Sequence, residues 1–476
     1  MKRYVEGANR KQITLLPESL DEYISEDNPI RVVEAFIEAL DLGALGFCTT
    51  PANTGRPSYH PAVLLKIYLY GYLNRIQSSR RLEREAQRNV ELMWLTGRLA
   101  PDFKTIADFR RDNGSGIRNA CRQFVVLCRE LGLFANAIVA IDGSKFKAVN
   151  AHERNFTRGK VEKRLAQIDQ CIERYLTALD TADRQAPEIA EARSTRLKEK
   201  IETMKFQMEK LKQIQEQLEQ EPTGQVSLTD SDARAMATST SRGLVGYNVQ
   251  TAVDTTHHLI VAHEVTNIGT DRRQLVRMAR QAKAAMEANN LQAIADRGYF
   301  NGEEIVACEQ EGITPLVSKP MTSSAKAEGR FDKEDFVFDP AAGEYKCPAG
   351  KRLIWRFSTE ERGGLIHKYW SSDCPRCDIR EKCTTSQYRR VSRYDHEASL
   401  EAMQRRLDLN PGLMRVRRRT VEHPFGTLKD WMGASHFLTR GLERVGTEMS
   451  LHVLAYNMKR VMKILGIGSL MAAIGA

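Results

Sequence analysis

Two aspartates, Asp142 and Asp296, each follow an apolar run and stand close before a glycine, in AIDG and ADRG. Ligands bind at the strand ends of an α/β sheet, and two carboxylates brought together repel unless a divalent cation or a shared proton neutralises them. Oxygen ligands without a histidine partner suit Mg²⁺ or Mn²⁺. One such aspartate alone is more often a turn cap, but two in matching contexts favour a metal site.

A third acid is Glu422, in RVRRRTVEHPFGTLKDWMG. Three acids can hold two metal ions about 3.5 to 4 Å apart, an arrangement that activates a water or hydroxyl and stabilises the leaving oxygen in phosphodiester cleavage. On a continuous helix, Arg418 and Lys429 would share the face of Glu422 and bind phosphate. The alternative is an exposed ion pair between Arg418 and Glu422. Because Pro424 fits best in a first turn, we expect the helix to begin near Glu422.

The segments around these acids predict a mixed α/β sheet. NAIVAIDGSKFKAV (136 to 149) is β-branched and alternating, which indicates a strand, and GYNVQTAVDTTHHLIVAHEVTN (246 to 267) indicates a hairpin. Helical and strand patterns then alternate through LQAIADRGYF and ITPLVSKP, with long insertions. Burying Asp142 in such a strand is costly unless a cation offsets its charge.

A charged segment from about Thr157 to Gln220 has the apolar spacing of a coiled coil, and Pro187 lies between its two halves. We therefore expect an antiparallel helical hairpin, with a dimerising coiled coil as the alternative. The apolar positions are Leu165, Ile168, Ile172, Leu176 and Leu179 in the first half, and Leu197, Ile201, Met204, Met208, Leu211, Ile214 and Leu218 in the second.

The N-terminal third is predicted to be helical, in HPAVLLKIYLYGYLNRI, SSRRLEREAQRNVELMWLTG and PDFKTIADFRRDNG, the last capped by Asp102. A small bundle is favoured over a DNA-reading helix-turn-helix. The chain begins without a signal-peptide core and has no apolar stretch of about 18 residues, so we expect a cytoplasmic protein without a membrane partner.

The charge distribution indicates a polyanionic partner. The 476 residues carry a net charge of +10, with 42% hydrophobic and 28% charged residues, which is ordinary for a globular protein. Nine arginines lie between Gln387 and Thr420, a density that favours nucleic acid over a solvated helix face. They are Arg389, Arg390, Arg393, Arg405, Arg406, Arg415, Arg417, Arg418 and Arg419.

Four of the nine cysteines form a cluster with the pattern Cys-x26-Cys-x2-Cys-x5-Cys. Four thiolates with one Cys-x2-Cys pair suit tetrahedral Zn²⁺, and we favour structural zinc over four unrelated thiols. The nearby aromatics Tyr345, Trp355, Tyr369 and Trp370 are expected to cover a small core, with stacking on DNA as the alternative. The cysteines are Cys347, Cys374, Cys377 and Cys383.

Taken together, AIDGSKF, GYNVQTAVD, ADRGYF and RRTVEHPFGTLK resemble the DDE transposases of bacterial insertion sequences, whose catalytic domain is ribonuclease H-like. PSYHPAVLLKIYLYGYLNRIQSSRRLE is similar to the N-terminal domain of this family, and LTDSDARAM to a segment of the same branch, so the resemblance covers most of the chain. The glutamate motif of the family runs tyrosine, two residues, arginine, three residues, glutamate, six residues, lysine. Carried over, it matches Arg418, Glu422 and Lys429, whereas its tyrosine position is Arg415.

The resemblance implies that Asp142, Asp296 and Glu422 are catalytic and coordinate two Mg²⁺ (or Mn²⁺) ions. One ion would activate water to cut an element end, and the released 3′-hydroxyl would attack target DNA. The implied partners are the terminal inverted repeats and target DNA, held by Arg415, Arg418 and Lys429 in a homodimer or larger assembly. Asp232 is a possible outer residue of the metal site, whereas a turn is favoured for Asp230.

The expected organisation has four parts. A helical N-terminal DNA-binding domain covers 1–133, and a ribonuclease H-like catalytic domain covers 134–156, 222–320 and 400–476, including a C-terminal helix. A coiled-coil hairpin (157–221) and a cysteine-rich zinc insertion (321–399) interrupt it. The rival hypothesis is a DNA-binding regulator derived from a transposase that no longer cuts DNA, and a nuclease that cuts without joining is the third.

Overall fold

The computed structural model describes residues 19–50, 57–134, 136–182, 187–238, 243–320, 326–361 and 364–475. The expectation that the chain begins without a signal peptide falls largely on residues 1–18, outside these ranges. The chain divides into two compact units. The first combines residues up to Leu133 with 427–434 and 447–476, and the second combines 134–426 with 435–446.

The helices are distributed over both units. They are α1 (Pro29–Glu38), α2 (Pro61–Leu73), α3 (Ser79–Arg88), α4 (Val90–Thr96), α5 (Phe103–Asp112), α6 (Gly114–Glu130), α7 (Arg158–Ala182), α8 (Pro187–Gln220), α9 (Leu275–Met286), α10 (Gly302–Gln310), α11 (Glu397–Asp408), α12 (Leu413–Gly426), α13 (Leu442–Leu465) and α14 (Ile467–Gly475), with a π-helix at Thr427–Trp431.

The strands all lie in the second unit. They are β1 (Ile138–Lys147), β2 (Asn155–Thr157), β3 (Gln225–Ser227), β4 (Arg234–Met236), β5 (Leu244–Asp254), β6 (Ile260–Thr266), β7 (Leu291–Ala295), β8 (Ile313–Val317), β9 (Val337–Asp339), β10 (Glu344–Lys346), β11 (Arg352–Glu361), β12 (Gly364–Trp370) and β13 (Val391–Tyr394).

The first unit is built around α2, which is buried on every side. Its N-terminus has Pro61 in the first turn and His60 as the capping residue, a start that a proline favours because its missing N–H needs no partner there. Asp102 caps α5 as predicted, accepting from the N–H groups of Lys104 and Thr105. The segment SSRRLEREAQRNVELMWLTG is helical as predicted and is divided at Asn89, whose side chain caps α4.

The C-terminal helix completes this first unit. Tyr72 of α2 packs edge-to-face on His452 of α13 with ring centroids 4.5 Å apart, and α14 packs on α1. The expectation that all of 400–476 belongs to the catalytic domain therefore differs from the observed grouping. The physical reason is that the buried side chains of α13, such as Leu451 and Leu454, form part of the helical core.

The second unit contains a six-stranded mixed sheet. Its order is β4-β5-β1-β7-β8, with β6 also paired to β5. The predicted hairpin is confirmed as β5 and β6, which are antiparallel, and β1 is antiparallel to β5 but parallel to β7. The last pair, β7 and β8, is parallel, so β1 is the strand at which the direction changes.

Two insertions extend this sheet. Helices α7 and α8 pack through a cluster that joins Val161 and Ile168 to Leu211, Ile214 and Leu218, so the start of one helix meets the end of the other. They are antiparallel, and the coiled-coil assignment remains a prediction. The second insertion contains a five-stranded sheet in the order β13-β12-β11-β10-β9. Within the described ranges, none of the helices has the length and apolar character needed to cross a membrane.

Candidate active site

Strands β1 and β7 bring Asp142 and Asp296 to the same edge of the sheet. The two strands are parallel, and their register pairs Val139 with Ala293 and Ala140 with Ile294. Continuing that register by two residues brings Asp142 level with Asp296, the residue that directly follows β7. Neighbouring strands lie about 4.8 Å apart, so the sheet itself places the two carboxylates side by side.

One arginine lies between these carboxylates. Arg417 Nη2 is 2.6 Å from Asp142 Oδ1 and 3.6 Å from Asp296 Oδ2. The side chain of Arg417 is only 13% exposed. A single guanidinium nitrogen therefore occupies the position of a cation shared by two acids.

The environment of Asp142 raises the pKa of its carboxyl group to about 6. Burial is the largest cause, the Arg417 guanidinium lowers the pKa, and the nearby carboxylates of Asp296 and Asp271 raise it. Burial outweighs the single positive neighbour because the carboxylate loses its hydration and faces two other acids. The site therefore carries more negative than positive charge, and a further cation would relieve this excess.

The turn after β7 fixes the orientation of Asp296. The Gly298 N–H donates to Asp296 Oδ1 at 2.8 Å, which leaves Oδ2 facing Arg417. A Cβ at position 298 would lie 2.9 Å from Asp296 Oδ1, so a larger residue here would displace this carboxylate. The next residue, Tyr299, is buried and donates to Gln250 Oε1. The ADRGY segment thus combines a capped acid with an anchored aromatic.

Helix α12 carries both Arg417 and Glu422, but on different faces. Phe425 packs on Phe146 of β1 with ring centroids 6.2 Å apart, which holds the helix against the sheet. Arg417 lies on this side together with the buried Val421. Glu422 is 68% exposed and accepts a hydrogen bond from Arg418 Nε at 3.1 Å. The ion pair considered as the alternative is therefore present.

The expectation that the helix begins near Glu422 is wrong. It begins at Leu413 and includes Pro424, which is buried. A proline inside a helix removes a backbone hydrogen bond, and irregular π-helical turns accommodate such defects. Here the π-helix Thr427–Trp431 follows directly. Glu422 consequently lies in the second half of the helix.

The three acids do not form a cage in this structure. Within the described ranges, no group of three or more histidine, cysteine, aspartate or glutamate side chains is arranged to hold a metal ion. Asp142 and Asp296 are together, and Glu422 is paired with Arg418. The other expected DNA-binding residues are Arg415, exposed on α12, and Lys429, on the π-helix in the first unit.

Asp230 and Asp232 both bind the backbone at the start of α13. Asp230 is buried and accepts from Gly441 N–H at 3.0 Å, and Asp232 Oδ2 accepts from Leu442 N–H at 2.8 Å. Carboxylates stabilise a helix N-terminus because the first N–H groups lack partners within the helix. Asp232 therefore caps a helix. A turn does begin at Asp230, whose carbonyl oxygen accepts from Ala233 N–H at 3.1 Å, while its side chain makes the longer-range contact with Gly441.

Sequence reasoning missed Asp271, a further acid near the site. Its Oδ1 accepts from Asn248 and Gln250, both at 2.7 Å, and lies 3.5 Å from Lys145 Nζ. A Cβ at position 143 would lie 2.3 Å from Gln250 Nε2, so Gly143 makes room for this network. Asp271 follows β6 and precedes α9. An acid between a predicted strand and a predicted helix is the sequence signal that could have identified it.

The arginine-rich stretch is used largely inside the protein. Arg417 and Arg418 pair with acids, and Arg406 pairs with Glu309 of α10. Arg393 lies 3.7 Å from the ring centroid of Phe338. Arg389 and Arg390 lie over aromatic rings at 5.3 and 5.5 Å. Six of the nine arginines therefore have intramolecular partners, and sequence density overstates the surface available to phosphate.

The four clustered cysteines line one pocket in the second insertion. Burial raises the pKa of the Cys383 thiol, Arg389 lowers it, and the thiols of Cys374, Cys347 and Cys377 raise it. The described thiols do not reach the mutual arrangement of a metal site. The expected aromatic core is present for Tyr345 and Tyr369, whereas Trp355 is 54% exposed. Trp370 packs edge-to-face on Phe357.

Two family models match the chain. The model described as Transposase domain (DUF772) matches residues 18–112, and the model described as Transposase DDE domain matches residues 346–462, which include Glu422. No curated protein sequence matches. Among solved structures, the chain is similar to one described as piggyBac transposase synaptic complex with hairpin DNA. The identity is 8%, the TM-score is 0.32, and the match covers 94% of this chain and 79% of that chain.

The chain is thus a mixed α/β protein with an N-terminal transposase domain and a DDE domain. The resemblance of its sequence to DDE transposases is confirmed by these two models.

Proposed function

We propose that this transposase binds the ends of a bacterial insertion sequence, cuts the DNA strands there and joins them to target DNA. The observation that carries the proposal is the convergence of Asp142 and Asp296 on one cationic nitrogen at the edge of the sheet. Two ends must be held together for joining, so a homodimer or larger assembly would act on double-stranded DNA.

The residues at this edge fit divalent metal ions. The donors are carboxylate oxygens, which Mg²⁺ and Mn²⁺ prefer, and the Arg417 guanidinium already marks a position that attracts positive charge. Asp142, Asp296 and Glu422 would hold the ions. When bound, such ions lower the pKa of a water and stabilise the oxygen that leaves phosphorus.

Glu422 would join the site by leaving Arg418. Both side chains are exposed, and exposed ion pairs are worth only about 0 to 1 kcal/mol, so their separation costs little. The carboxylate would then turn towards the two aspartates, and the freed Arg418 would bind a DNA phosphate. Arg415 and Lys429 would add phosphate contacts, which position DNA without specifying its sequence.

The strand order supports a ribonuclease H-like catalytic core. Three antiparallel strands, β6, β5 and β1, are followed by the parallel strands β7 and β8, and the acids lie on β1 and after β7. In this interpretation the helices α7 and α8 form the coiled-coil insertion. The segment with β9 to β13 is the second insertion.

A groove in the second unit supports a DNA path beside the acids. It includes Asn301, close after Asp296, and Met414 of α12, close before Arg417. Positive residues outnumber the acids along it, seven to five, which suits a phosphate backbone. The positive residues are Arg272, Arg273, Lys319, Lys326, Lys333, Arg389 and Arg390.

We further propose that Cys347, Cys374, Cys377 and Cys383 bind structural zinc. They line one pocket next to the aromatic cluster of Tyr345 and Tyr369, and Cys347 and Cys383 pack against that cluster. Four thiolates satisfy the tetrahedral preference of Zn²⁺. Metal binding would draw the thiols together and hold the second insertion beside the groove.

Cleavage of a DNA end by the purified chain tests the catalytic proposal. The substrate is a duplex carrying the inverted repeats that flank the gene, incubated with Mg²⁺ or with EDTA. We expect Mg²⁺-dependent nicking that Asp142→Asn or Asp296→Asn abolishes. The matched control Asp169→Asn, at an exposed position of α7, should cut like the wild type.

The arrangement around Glu422 also favours a second candidate, a DNA-binding regulator that no longer cuts. Arg417 pairs with the two aspartates and Arg418 holds the glutamate, so Glu422 stays apart from Asp142 and Asp296. Specific binding of the repeats without nicking at any Mg²⁺ or Mn²⁺ concentration would establish this candidate. Nicking without joining would indicate a nuclease instead.

A further inference from the structure

We infer that Arg417 is a built-in counter-ion that competes with divalent metal ions for the carboxylates of Asp142 and Asp296. The inference rests on the proposed function, because it assigns a regulating residue to the same metal site. In the metal-free protein the guanidinium partly neutralises the two acids, and metal ions bind only when it moves away.

The contacts of Arg417 are those of a cation at a shared anionic site. One nitrogen, Nη2, reaches both Asp142 Oδ1 at 2.6 Å and Asp296 Oδ2 at 3.6 Å. A divalent ion would need the same oxygens, and two positive charges at such a distance repel strongly where water is scarce. The guanidinium and a metal ion therefore cannot bind these oxygens at the same time.

The rest of the guanidinium is incompletely satisfied. Its Nε is buried and has no hydrogen-bond partner in the described part of the chain. An unpaired buried donor costs about 1 to 3 kcal/mol, so this nitrogen contributes nothing that holds the side chain in place. Arg417 is thus attached through the acids, and a competing ion removes the contacts that keep it there.

The position of Arg417 on α12 would give its displaced side chain access to a second partner, a DNA phosphate. Arg418 follows it on an exposed position of the same helix, so a displaced Arg417 would lie beside a second guanidinium group. Arginine matches phosphate geometry and is always charged. A DNA phosphate at this surface would stabilise the displaced side chain, which couples DNA binding to metal binding.

Calorimetric titration of the full chain with Mn²⁺, without DNA, tests the inference. We expect Arg417→Gln to bind Mn²⁺ at least tenfold more tightly than the wild type, because the competitor is removed. Arg419→Gln removes the same charge two residues away, from an exposed position, and should leave the affinity unchanged. Arg417→Lys keeps a positive charge and serves if the glutamine variant does not fold. Because lysine matches the geometry of the two acids less well than arginine, Arg417→Lys should bind Mn²⁺ more tightly than the wild type.

Titration of Asp142→Asn with Mn²⁺ distinguishes failure of the counter-ion inference from failure of the proposed metal site. If Mn²⁺ binding depends on Asp142 but neither Arg417 variant tightens it, the counter-ion inference fails and the proposed metal site stands. If no variant binds Mn²⁺ in an Asp142-dependent way, the proposed metal site fails as well. If Arg417→Gln and Arg419→Gln increase the affinity for Mn²⁺ by the same factor, the effect comes from net charge alone. This result would also overturn the inference.

Discussion

The hydroxyl of Tyr247 lies 2.8 Å from both carboxylate oxygens of Asp230. Asp230 is 2% exposed and also accepts the Gly441 N–H, so one buried acid joins strand β5 to the turn before α13. Burial, followed by the hydrogen bond to Asp230, raises the pKa of Tyr247. The phenol therefore remains a donor throughout the physiological range.

Replacing that donor should destabilise the second unit. Tyr247→Phe leaves the buried Asp230 carboxylate with one donor fewer, and an unsatisfied buried group costs about 1 to 3 kcal/mol. We expect a lower free energy of unfolding in urea. Tyr175→Phe, which removes a hydroxyl from α7, is the control and should change little. Equal stability of Tyr247→Phe and wild type would contradict the role given to this contact.

The glycine of GYNVQ should be essential for the sheet. A Cβ on Gly246 would lie 1.9 Å from the Phe146 carbonyl oxygen, a backbone atom of the adjacent strand that cannot rotate away. Gly246→Ala should therefore lower the free energy of unfolding by about 3 kcal/mol or more. Gly159→Ala is the control, since no neighbouring atom of the described residues lies within 4 Å of an added Cβ, and alanine there should stabilise α7 by up to about 1 kcal/mol. Comparable losses in both variants would refute the steric argument.

The stability of the first unit should fall in mild acid. Burial, with a smaller contribution from Arg110, lowers the pKa of His452 to about 3 from its ordinary value of 6.5. Between these values the unfolded chain binds the proton and the folded chain does not, so stability rises with pH across this window by up to about 1.4 kcal/mol per unit. His452→Phe should flatten the dependence measured between pH 4 and 6.5.

His396, which is exposed, provides the comparison for this pH effect. His396→Gln should keep the wild-type slope. An unchanged slope in His452→Phe would show that other groups dominate the acid sensitivity.

Zinc content should depend on the clustered cysteines. Purified chain should contain about one zinc per molecule, and Cys377→Ser should lose most of it, because three thiolates and a hydroxyl bind Zn²⁺ less strongly. Cys48→Ser, at an exposed cysteine outside the cluster, should retain it. Chelation should also lower the melting temperature of the wild type. If the purified protein contains no zinc and chelation does not change its melting temperature, the four cysteines are ordinary thiols and the zinc proposal is wrong.

The sequence predicts the placement of Asp142 and Asp296 because strand patterns are local. Alternating β-branched residues mark each strand, and parallel neighbours share one edge, so two acids after similar runs meet there. The positions on α12 were less predictable. Which face of a helix turns inward depends on what packs against it, and Phe425 on Phe146 turned Arg417 inward and Glu422 outward.

A local signal for Arg417 did exist. Met414, Val421 and Phe425 recur at helical spacing as the inner stripe of α12, and Arg417 lies on that stripe. A charged residue on an apolar stripe indicates a buried partner of opposite charge. The grouping of α13 with the N-terminal helices had no comparable signal, because contacts between residues hundreds of positions apart leave no local pattern.

The route of the chain through its two units has a consequence for biosynthesis. Residues 427–434 and 447–476 complete the helical unit that begins the protein, while 435–446 belong to the other. A ribosome releases the N-terminal helices long before their C-terminal partner exists, and exposed apolar surface on nascent chains invites aggregation. The N-terminal helices are thus among the last elements to mature, and chaperones would have to shield α2 until α13 has been translated.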